Sequence, residues 1–209
     1  MKCIAYRFLV LELCAGTLKD FCTGKYKGPA LPSDALVLYQ IANGLDYIHS
    51  KDLIHRDIKP GNILISNTVP IQMKLSDFGL SKKLTPNGTF DMSGFRGTEN
   101  WIAPEIMNLI INPNLPHGTV ESDMFVAGCV FFYFLTRGSH PFGDQENCRN
   151  NINNGDPILL TLQKGKHEKP KKSLREKTQN KFKFHTKIHM QGKRRILSRH
   201  LRTIILYKK

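Results

Sequence analysis

The sequence lacks closely spaced cysteine pairs. Its five cysteines, at positions 3, 14, 22, 129 and 148 of 209 residues, form no Cys-x-x-Cys motif and no Cys/His cluster with zinc-ligand spacing. A chain of this length builds a hydrophobic core without disulfide support. The composition therefore excludes a disulfide scaffold and a structural zinc fold, and it predicts reduced thiols in a cytoplasmic, reducing compartment.

Long uncharged hydrophobic runs are lacking as well. The longest, residues 124–136, is shorter than the roughly 20 residues that span a bilayer, and its length is typical of a buried core helix. The apolar start of the chain is interrupted by Arg7 and Glu12 and is not followed by a small-residue cleavage site, so it does not fit a signal peptide. We therefore expect no membrane segment in this chain.

Acidic residues are almost missing from the end of the chain. Residues 164–209 hold 17 Lys/Arg and two Asp/Glu, whereas residues 1–163 hold 14 and 15, so the net charge of +14 belongs to the tail. We predict a folded body over residues 1–163 and a basic tail over 164–209 that is disordered or unrelated to the fold of the body. Nucleic-acid binding through the tail is the weaker alternative.

The spacing of apolar residues predicts a mostly helical body with a few short strands. The predicted elements are helices at 34–50 and 122–136 and strands at 8–11, 62–65 and 73–75. Ser33 is a suitable N-cap for the first helix. Residues 81–97 are rich in Ser, Thr, Gly, Asn and Lys without periodicity, which predicts a long, mobile and functional loop.

Three motifs in the body follow one another in a defined order. Residues 55–62 read His-Arg-Asp-Ile-Lys-Pro-Gly-Asn and fit H-R-D-x-x-x-x-N. Asp-Phe-Gly follows at 77–79, and Ala-Pro-Glu closes the long loop at 103–105. These motifs and their order resemble the signature of protein kinases. Agreement in both identity and order makes this signal much stronger than a single short glycine motif.

Phosphoryl transfer needs these residue types because it depends on positioning and on neutralising phosphate charge. Asp57 is predicted to orient the acceptor hydroxyl and take up its proton, and Lys59 to reach the γ-phosphate of ATP. Asn62 and Asp77 offer the oxygen ligands that Mg²⁺ prefers. We therefore predict ATP and Mg²⁺ as cofactors and Asp57, Lys59 and Asn62 as catalytic residues. Taken singly, each of these side chains also fits a solvated loop position.

Longer strings make the resemblance more specific. Trp-Ile-Ala-Pro-Glu at 101–105, Ala-Gly-Cys-Val-Phe at 127–131 and Gly-Ser-His-Pro-Phe-Gly at 138–143 join the three motifs. Over residues 3 to about 160 the chain resembles the kinase domain of the inositol-requiring-enzyme family, whose members are endoplasmic-reticulum stress sensors with a cytosolic kinase and an endoribonuclease. Ribonuclease L is a relative with degenerate kinase motifs, so the intact motifs here favour the stress sensors.

The resemblance implies an α+β, protein-kinase-like fold and further site residues. It implies that the backbones of Glu12 and Cys14 form hydrogen bonds with adenine at the hinge and that Asp20 lies near the ribose. Thr89 and Ser93 fall where the family carries phosphoacceptors, with Arg56 as the cationic partner of such a phosphate. By the same resemblance, Lys59 indicates a serine/threonine kinase, and Asp123 braces the backbone of the catalytic loop.

The sequence also departs from the family pattern. No segment supplies the glycine-rich loop, the strand lysine or the helix glutamate that complete an ATP site, so the small lobe is expected to be essentially missing and the chain to be a truncated product. Glu105 is expected to lack its arginine partner, and one face of the helix at 122–136 to be uncovered.

The predicted function is that of a serine/threonine kinase of the unfolded-protein response that phosphorylates Ser or Thr, including its own, in a fragment that is weakly active or inactive. A full-length parent would act at the cytosolic face of the endoplasmic reticulum membrane, with itself or a full-length homologue as partner. The alternative is a non-catalytic kinase-fold module that docks on a full-length partner.

Overall fold

The structure, a computed structural model, describes residues 11–90, 98, 100–111, 118–144 and 146–158. The helices are α1 (Leu18–Cys22), α2 (Asp34–His49), α3 (Pro104–Ile111), α4 (Val120–Leu135) and α5 (Cys148–Asn154). The strands are β1 (Cys14–Thr17), β2 (Leu53–Ile54), β3 (Ile63–Ser66), β4 (Met73–Leu75) and β5 (Lys82–Lys83). The predicted α+β, mostly helical large lobe of a kinase-like fold is confirmed.

Helix α2 forms where the sequence predicts it. The Ser33 hydroxyl accepts a hydrogen bond from the Leu36 N–H, and Asp34 in the first turn interacts favourably with the helix dipole. Six apolar residues at helical spacing are buried on one face: Val37, Leu38, Ile41, Ala42, Leu45 and Ile48. This face packs into the main hydrophobic core.

The predicted hairpin is also present. Strands β3 and β4 pair antiparallel, and β1 adds to the other side of β3, which gives the order β1-β3-β4. The side chain of Gln40 on α2 holds the hairpin, because its Oε1 accepts from the Met73 N–H at 2.7 Å and its Nε2 donates to the Ile71 carbonyl at 3.3 Å. The sheet that carries the end of the catalytic loop is thereby fixed to the helical core.

Helix α4 lies in the middle of the core. Its buried residues lie on all sides, and they include Val126, Val130, Phe131 and Phe134. The large apolar residues of α4 that are not fully buried are half-buried, so the expectation of an uncovered face is wrong. Residues from α1, α2 and the loops around the catalytic motif cover the helix.

Part of the long loop is more ordered than predicted. Lys82 and Lys83 pair with Ile54 and Leu53 as a second, two-stranded sheet, and Phe90 forms a backbone bridge to Gly118. A β-carbon on Gly118 would lie 2.3 Å from the Phe90 ring, so only glycine permits this approach. The prediction of a loop without regular structure is therefore wrong for residues 82–83 and for Phe90, and the mobility of the loop stays a prediction.

Other predictions fall outside the described residues. These are most of the strand at 8–11, Ser93, the boundary between residues 163 and 164, and the whole basic tail. Leu11, the described end of that strand, is not in a strand. Within the described ranges, each helix is too short or too polar to cross a bilayer.

Candidate active site

The catalytic loop, residues 55–62, runs from β2 to β3 and is held in place by α4. The Asp123 carboxylate accepts hydrogen bonds from the backbone N–H groups of His55 (2.8 Å) and Arg56 (2.9 Å), and it lies 3.0 Å from His49 Nε2. Asp123 is 3% exposed, so these bonds are shielded from water. The predicted role of Asp123 as the brace of this loop is confirmed.

Three side chains converge on the carboxylate of Asp57, which is 4% exposed. Its Oδ2 accepts from Lys59 Nζ at 2.6 Å and from Asn62 Nδ2 at 2.8 Å, and its Oδ1 accepts from the Thr98 hydroxyl at 2.7 Å. Lys59 Nζ also lies 2.7 Å from the Thr98 hydroxyl. The three predicted catalytic residues are therefore brought together, and the contact of Lys59 with the γ-phosphate stays a prediction.

Thr98 is the member of this group that sequence reasoning missed. It lies 41 residues after Asp57, and its hydroxyl contacts both Asp57 and Lys59. The signal that would have found it is its place in the string Gly97-Thr98, three residues before Trp-Ile-Ala-Pro-Glu. Thr98 thereby links the end of the long loop to the catalytic loop.

Asp77 stands at the end of β4 with a left-handed backbone, φ 63°, and an exposed side chain. The next residue, Phe78, packs on the His55 ring with ring centroids 4.8 Å apart. His55 is buried, and burial lowers the pKa of its imidazole. Its Nε2 lies 3.0 Å from the Ser76 carbonyl. The motif at 77–79 is thus anchored to the catalytic loop while the Asp77 carboxylate faces solvent.

Asn62 and Asp77 offer oxygen donors of the kind that a hard divalent cation prefers, and their binding of a metal stays a prediction. The Asn62 amide nitrogen is engaged by the backbone and side chain of Asp57, which directs the amide oxygen away from that contact. Ser76, the neighbour of Asp77, donates two hydrogen bonds to the backbone carbonyl of Asn62, one from its N–H and one from its hydroxyl, each at 3.0 Å. Two oxygen donors on adjoining chain segments suit Mg²⁺, which keeps several waters and shares phosphate ligands.

The two predicted hinge residues, Glu12 and Cys14, differ in the contacts that they make. Cys14 begins β1 and pairs with Ser66 across the sheet. Glu12 is exposed and forms an ion pair with Lys74 at 2.6 Å. Adenine binding by these two backbones stays a prediction.

The Asp20 carboxylate is already used within helix α1. It accepts from the Thr17 hydroxyl at 2.7 Å and from the Thr17 N–H at 3.0 Å, and the Thr17 hydroxyl accepts in return from the Asp20 N–H. This reciprocal cap stabilises the helix start, and the hydrogen bonds from Thr17 lower the pKa of Asp20. A contact of Asp20 with ribose stays a prediction that competes with this cap.

Thr89, a predicted phosphoacceptor, closes a tight turn. Its hydroxyl lies 2.8 Å from that of Thr85, and its carbonyl accepts from the Thr85 N–H at 2.7 Å. The guanidinium of Arg56, its proposed phosphate partner, lies 5.6 Å from the ring centre of the adjacent Phe90 and donates to the Leu80 carbonyl. Phosphorylation at Thr89 and Ser93 stays a prediction.

Glu105 has a hydrogen-bond partner that was not anticipated. Its Oε1 accepts from the hydroxyl of Ser122 at 2.7 Å. Ser122 precedes Asp123 on α4, so this helix holds α3 through one residue and the catalytic loop through the next. The lack of an arginine partner for Glu105 stays a prediction, and the contact that the structure shows is to a serine.

A half-buried histidine in the string at 138–143 gives a pH prediction. His140 Nδ1 accepts from the Phe142 N–H at 3.2 Å and lies 3.1 Å from the Cys148 thiol. Burial is the main reason that the pKa of His140 is lowered to about 4. In the unfolded chain the imidazole takes up a proton near pH 6.5, but in the folded chain only near pH 4, so folding stability is lost as the pH falls through this interval.

We expect the free energy of unfolding to decrease by up to about 3 kcal/mol as the pH falls from 6.5 to about 4, at about 1.4 kcal/mol per pH unit. Urea unfolding at several pH values measures it. The His140→Gln variant should lose most of this acid sensitivity and retain the part that comes from His55. An equally steep loss in His140→Gln would contradict the assignment to His140.

This helix-rich lobe, in which Lys59 and Thr98 contact the Asp57 carboxylate of the catalytic loop, has the architecture of a protein kinase. The family described as "Protein kinase domain" matches residues 4–202, and the chain belongs to this family. The matched range extends beyond residue 163, and the domain boundary placed there stays a prediction.

Among curated proteins, the chain is similar to kinases that carry an endoribonuclease. The human serine/threonine-protein kinase/endoribonuclease IRE2 is 42% identical over 170 residues, which are 78% of this chain and 18% of that protein. The sensor for unfolded proteins in the ER ire1 of Schizosaccharomyces pombe is 36% identical over 189 residues, 76% of this chain and 17% of that protein. The Caenorhabditis elegans serine/threonine-protein kinase/endoribonuclease ire-1 is 36% identical over 166 residues, which are 75% of this chain and 16% of that protein.

The predicted resemblance to the inositol-requiring-enzyme family is thus confirmed. The chain spans less than a fifth of the length of these relatives.

Proposed function

We propose that this chain is the acceptor-binding and metal-binding lobe of a serine/threonine kinase that transfers the γ-phosphoryl group of ATP to Ser or Thr, including its own. The observation that carries the proposal is the Asp57 carboxylate, buried and held by Lys59, Asn62 and Thr98 at 2.6 to 2.8 Å. This is a positioned carboxylate of the kind that orients a hydroxyl and accepts its proton.

Each residue around Asp57 has a separate task in this reaction. Asp57 orients the acceptor hydroxyl and takes its proton, and the Lys59 ammonium balances the negative charge beside it. The Thr98 hydroxyl fixes the second carboxylate oxygen, so the carboxylate cannot rotate away. Magnesium held through Asn62 and Asp77 would neutralise phosphate charge. Positioning by these residues is what the reaction requires, because phosphoryl transfer involves little covalent chemistry by the protein.

The names of the relatives support a role in sensing unfolded proteins. One is called a sensor for unfolded proteins in the ER, and others are called kinase/endoribonucleases. We propose that a full-length parent of this chain acts in the unfolded-protein response at the cytosolic face of the endoplasmic reticulum membrane. Its partner would be a second copy or a full-length homologue.

Nucleotide titration tests the metal site independently of turnover. We expect the 209-residue chain to bind ADP weakly in the presence of Mg²⁺, and Asp77→Ala to weaken this binding at least about tenfold, because an oxygen ligand of the metal is lost. Isothermal titration with and without Mg²⁺ measures it.

Asp46→Ala is the matched control, since Asp46 is an exposed carboxylate on α2. It should leave nucleotide binding unchanged. Equal affinities of wild type and Asp77→Ala would show that the site does not form and would overturn the proposal.

The second candidate function is a non-catalytic module that docks on a full-length kinase. Leu11 and Leu13, on either side of Glu12 at the hinge, are 75% and 84% exposed, which favours contact with another protein. Size-exclusion chromatography of the chain with a full-length homologue tests it. Co-elution that is lost in a Leu11→Ser, Leu13→Ser variant would support this function, and separate elution would exclude it.

A further inference from the structure

The dipeptide Asn-Gly occurs three times in the sequence, at 43–44, 87–88 and 154–155. Each pair carries the groups for a reaction within the chain, because the backbone nitrogen of the glycine can attack the side-chain amide carbon of the asparagine. Glycine has no β-carbon to obstruct this approach, and it adopts backbone angles that other residues avoid. The three pairs have the same covalent chemistry, so the fold decides which of them reacts.

The pair at 43–44 lies inside helix α2, where the attack is blocked. The helix has 16 residues, and the Gly44 N–H belongs to its hydrogen-bond ladder. Gly44 also packs on the hairpin, since a β-carbon built on it would lie 3.4 Å from the Leu75 side chain. Bringing the Gly44 nitrogen to the Asn43 side chain requires the helix to unwind beside its buried residues Ala42 and Leu45.

The pair at 154–155 lies at the end of helix α5 and is held less firmly. Asn154 is the last residue of the helix, and Gly155 is its cap with φ 66°. The Gly155 N–H donates to the Ile152 carbonyl at 3.1 Å, and the Asp156 N–H donates to the Asn151 carbonyl at 2.8 Å. Ile152 is 1% exposed, so opening this end of the helix disturbs buried packing.

The pair at 87–88 lies in an exposed turn outside the helices and strands. Asn87 and Gly88 are both exposed, and Gly88 has φ 72°. A β-carbon built on Gly88 would meet no described atom within 4 Å, so packing does not restrain this residue. The Gly88 N–H donates to the Thr85 carbonyl at 2.8 Å, and this bond must open before the nitrogen attacks Asn87.

The remaining bonds of the turn join Thr85 and Thr89. The Thr85 N–H donates to the Thr89 carbonyl at 2.7 Å, the Thr89 N–H donates to the Thr85 hydroxyl oxygen at 3.2 Å, and the two hydroxyls lie 2.8 Å apart. Thr85 is exposed and Thr89 is half-buried. Bonds of this kind open locally at a lower free-energy cost than a helix that is packed in the core.

We propose that Asn87 is a site of spontaneous deamidation. The Gly88 nitrogen gives up its proton to water and bonds to Cγ of Asn87. The bond from Cγ to the side-chain nitrogen breaks, and ammonia leaves with a proton from water. The five-membered succinimide that results takes up one water and opens at either carbonyl, which gives aspartate or isoaspartate. The reaction needs water alone, and it is independent of the proposed kinase function.

The products change the turn in charge and in length. Residues 84–90 contain no charged side chain, so the new carboxylate is the first charge in this segment, two residues before Thr89. Isoaspartate also carries the main chain through its side chain, which inserts one methylene between residues 87 and 88. The bonds that close the turn depend on a fixed number of backbone atoms, so isoaspartate breaks the pairing of Thr85 with Thr89.

The three pairs serve as one another's controls in a single sample. The full 209-residue chain is incubated at mildly alkaline pH, and peptide mapping by mass spectrometry follows each asparagine. We expect Asn87 to deamidate at least about tenfold faster than Asn43, with Asn154 between them, because local opening of the turn costs least. In guanidinium, where the fold no longer separates the pairs, the three rates should agree within about twofold.

Two results of this comparison would overturn the inference. The first is a rate at Asn87 that is no faster than the rate at Asn43 in the folded chain. The second is an unchanged order of rates in guanidinium, because the flanking sequence and not the turn would then decide the reaction. The products test the route. A mixture of isoaspartate and aspartate is expected from the succinimide, whereas aspartate alone would show direct hydrolysis and contradict the proposed attack by Gly88.

Two variants test the roles of the side chains in the turn. Asn87→Gln requires a six-membered ring for the same attack, so the reaction at this position should slow at least about tenfold. Thr85→Val keeps the branched shape but removes the acceptor of the Thr89 N–H, so the rate at Asn87 should rise at least about twofold while the rate at Asn154 stays the same. Equal rates at Asn87 in wild type and Thr85→Val would contradict control by the turn. Circular dichroism checks folding, and if Thr85→Val does not fold, the three pairs of the wild type decide the question.

Discussion

Asp123→Ala is expected to lower the free energy of unfolding by about 3 to 5 kcal/mol, because it leaves buried donors without an acceptor. The backbone N–H groups of His55 and Arg56 lose their partner, and His49 loses a contact at 3.0 Å. A domain of this size is stable by only about 5 to 15 kcal/mol, so the loss is a large fraction of the total. Urea unfolding followed by circular dichroism measures it.

Glu121→Ala is the matched control, since Glu121 lies in the same first turn of α4 but is exposed. Its removal also takes away an interaction with the helix dipole, but it leaves no buried N–H group without an acceptor. The expected decrease in the free energy of unfolding is therefore below about 1 kcal/mol. Asp123→Asn, which keeps one acceptor oxygen, should fall between the two. Equal effects of Asp123→Ala and Glu121→Ala would show that the brace does not contribute to stability.

An isolated polypeptide of these 209 residues is expected to show no measurable phosphotransfer. Its sequence contains no glycine-rich loop and no strand lysine that would orient the ATP phosphates and shield them from water. Misplacement of reacting groups by about 1 Å already costs roughly 100-fold in rate, so transfer without these two positioning elements is expected to be far slower still. Incubation of the purified chain with radiolabelled ATP and Mg²⁺ measures incorporation.

Asp57→Asn supplies the control for contaminating kinases, because it removes the proton acceptor and retains the shape of the side chain. Any incorporation that is the same in wild type and Asp57→Asn comes from another enzyme. Incorporation by wild type that disappears in Asp57→Asn would contradict the prediction and would show that the residues present suffice for turnover.

The two longer helices and the hairpin were predictable because their signals are local. The Ser33 cap and the apolar spacing in α2 place that helix to within one residue, and the short turn between β3 and β4 gives the hairpin. The loop at 81–97 was misread in part because β5 owes its pairing to β2, which lies about 30 residues earlier in the chain. A two-residue strand has no periodicity of its own, so only its partner defines it.

By itself the sequence determined the class of protein, and it predicted Asp57, Lys59, Asn62 and Asp77 as site residues because they lie in short motifs with characteristic spacing. Tertiary structure alone decided which side chains meet across long separations. Thr98 contacts an aspartate 41 residues away, and Asp123 contacts a backbone 68 residues away. Asp20 likewise turned out to cap its own helix. The physical reason is that hydrogen bonds and cavities depend on positions within a few ångströms, and packing sets those positions.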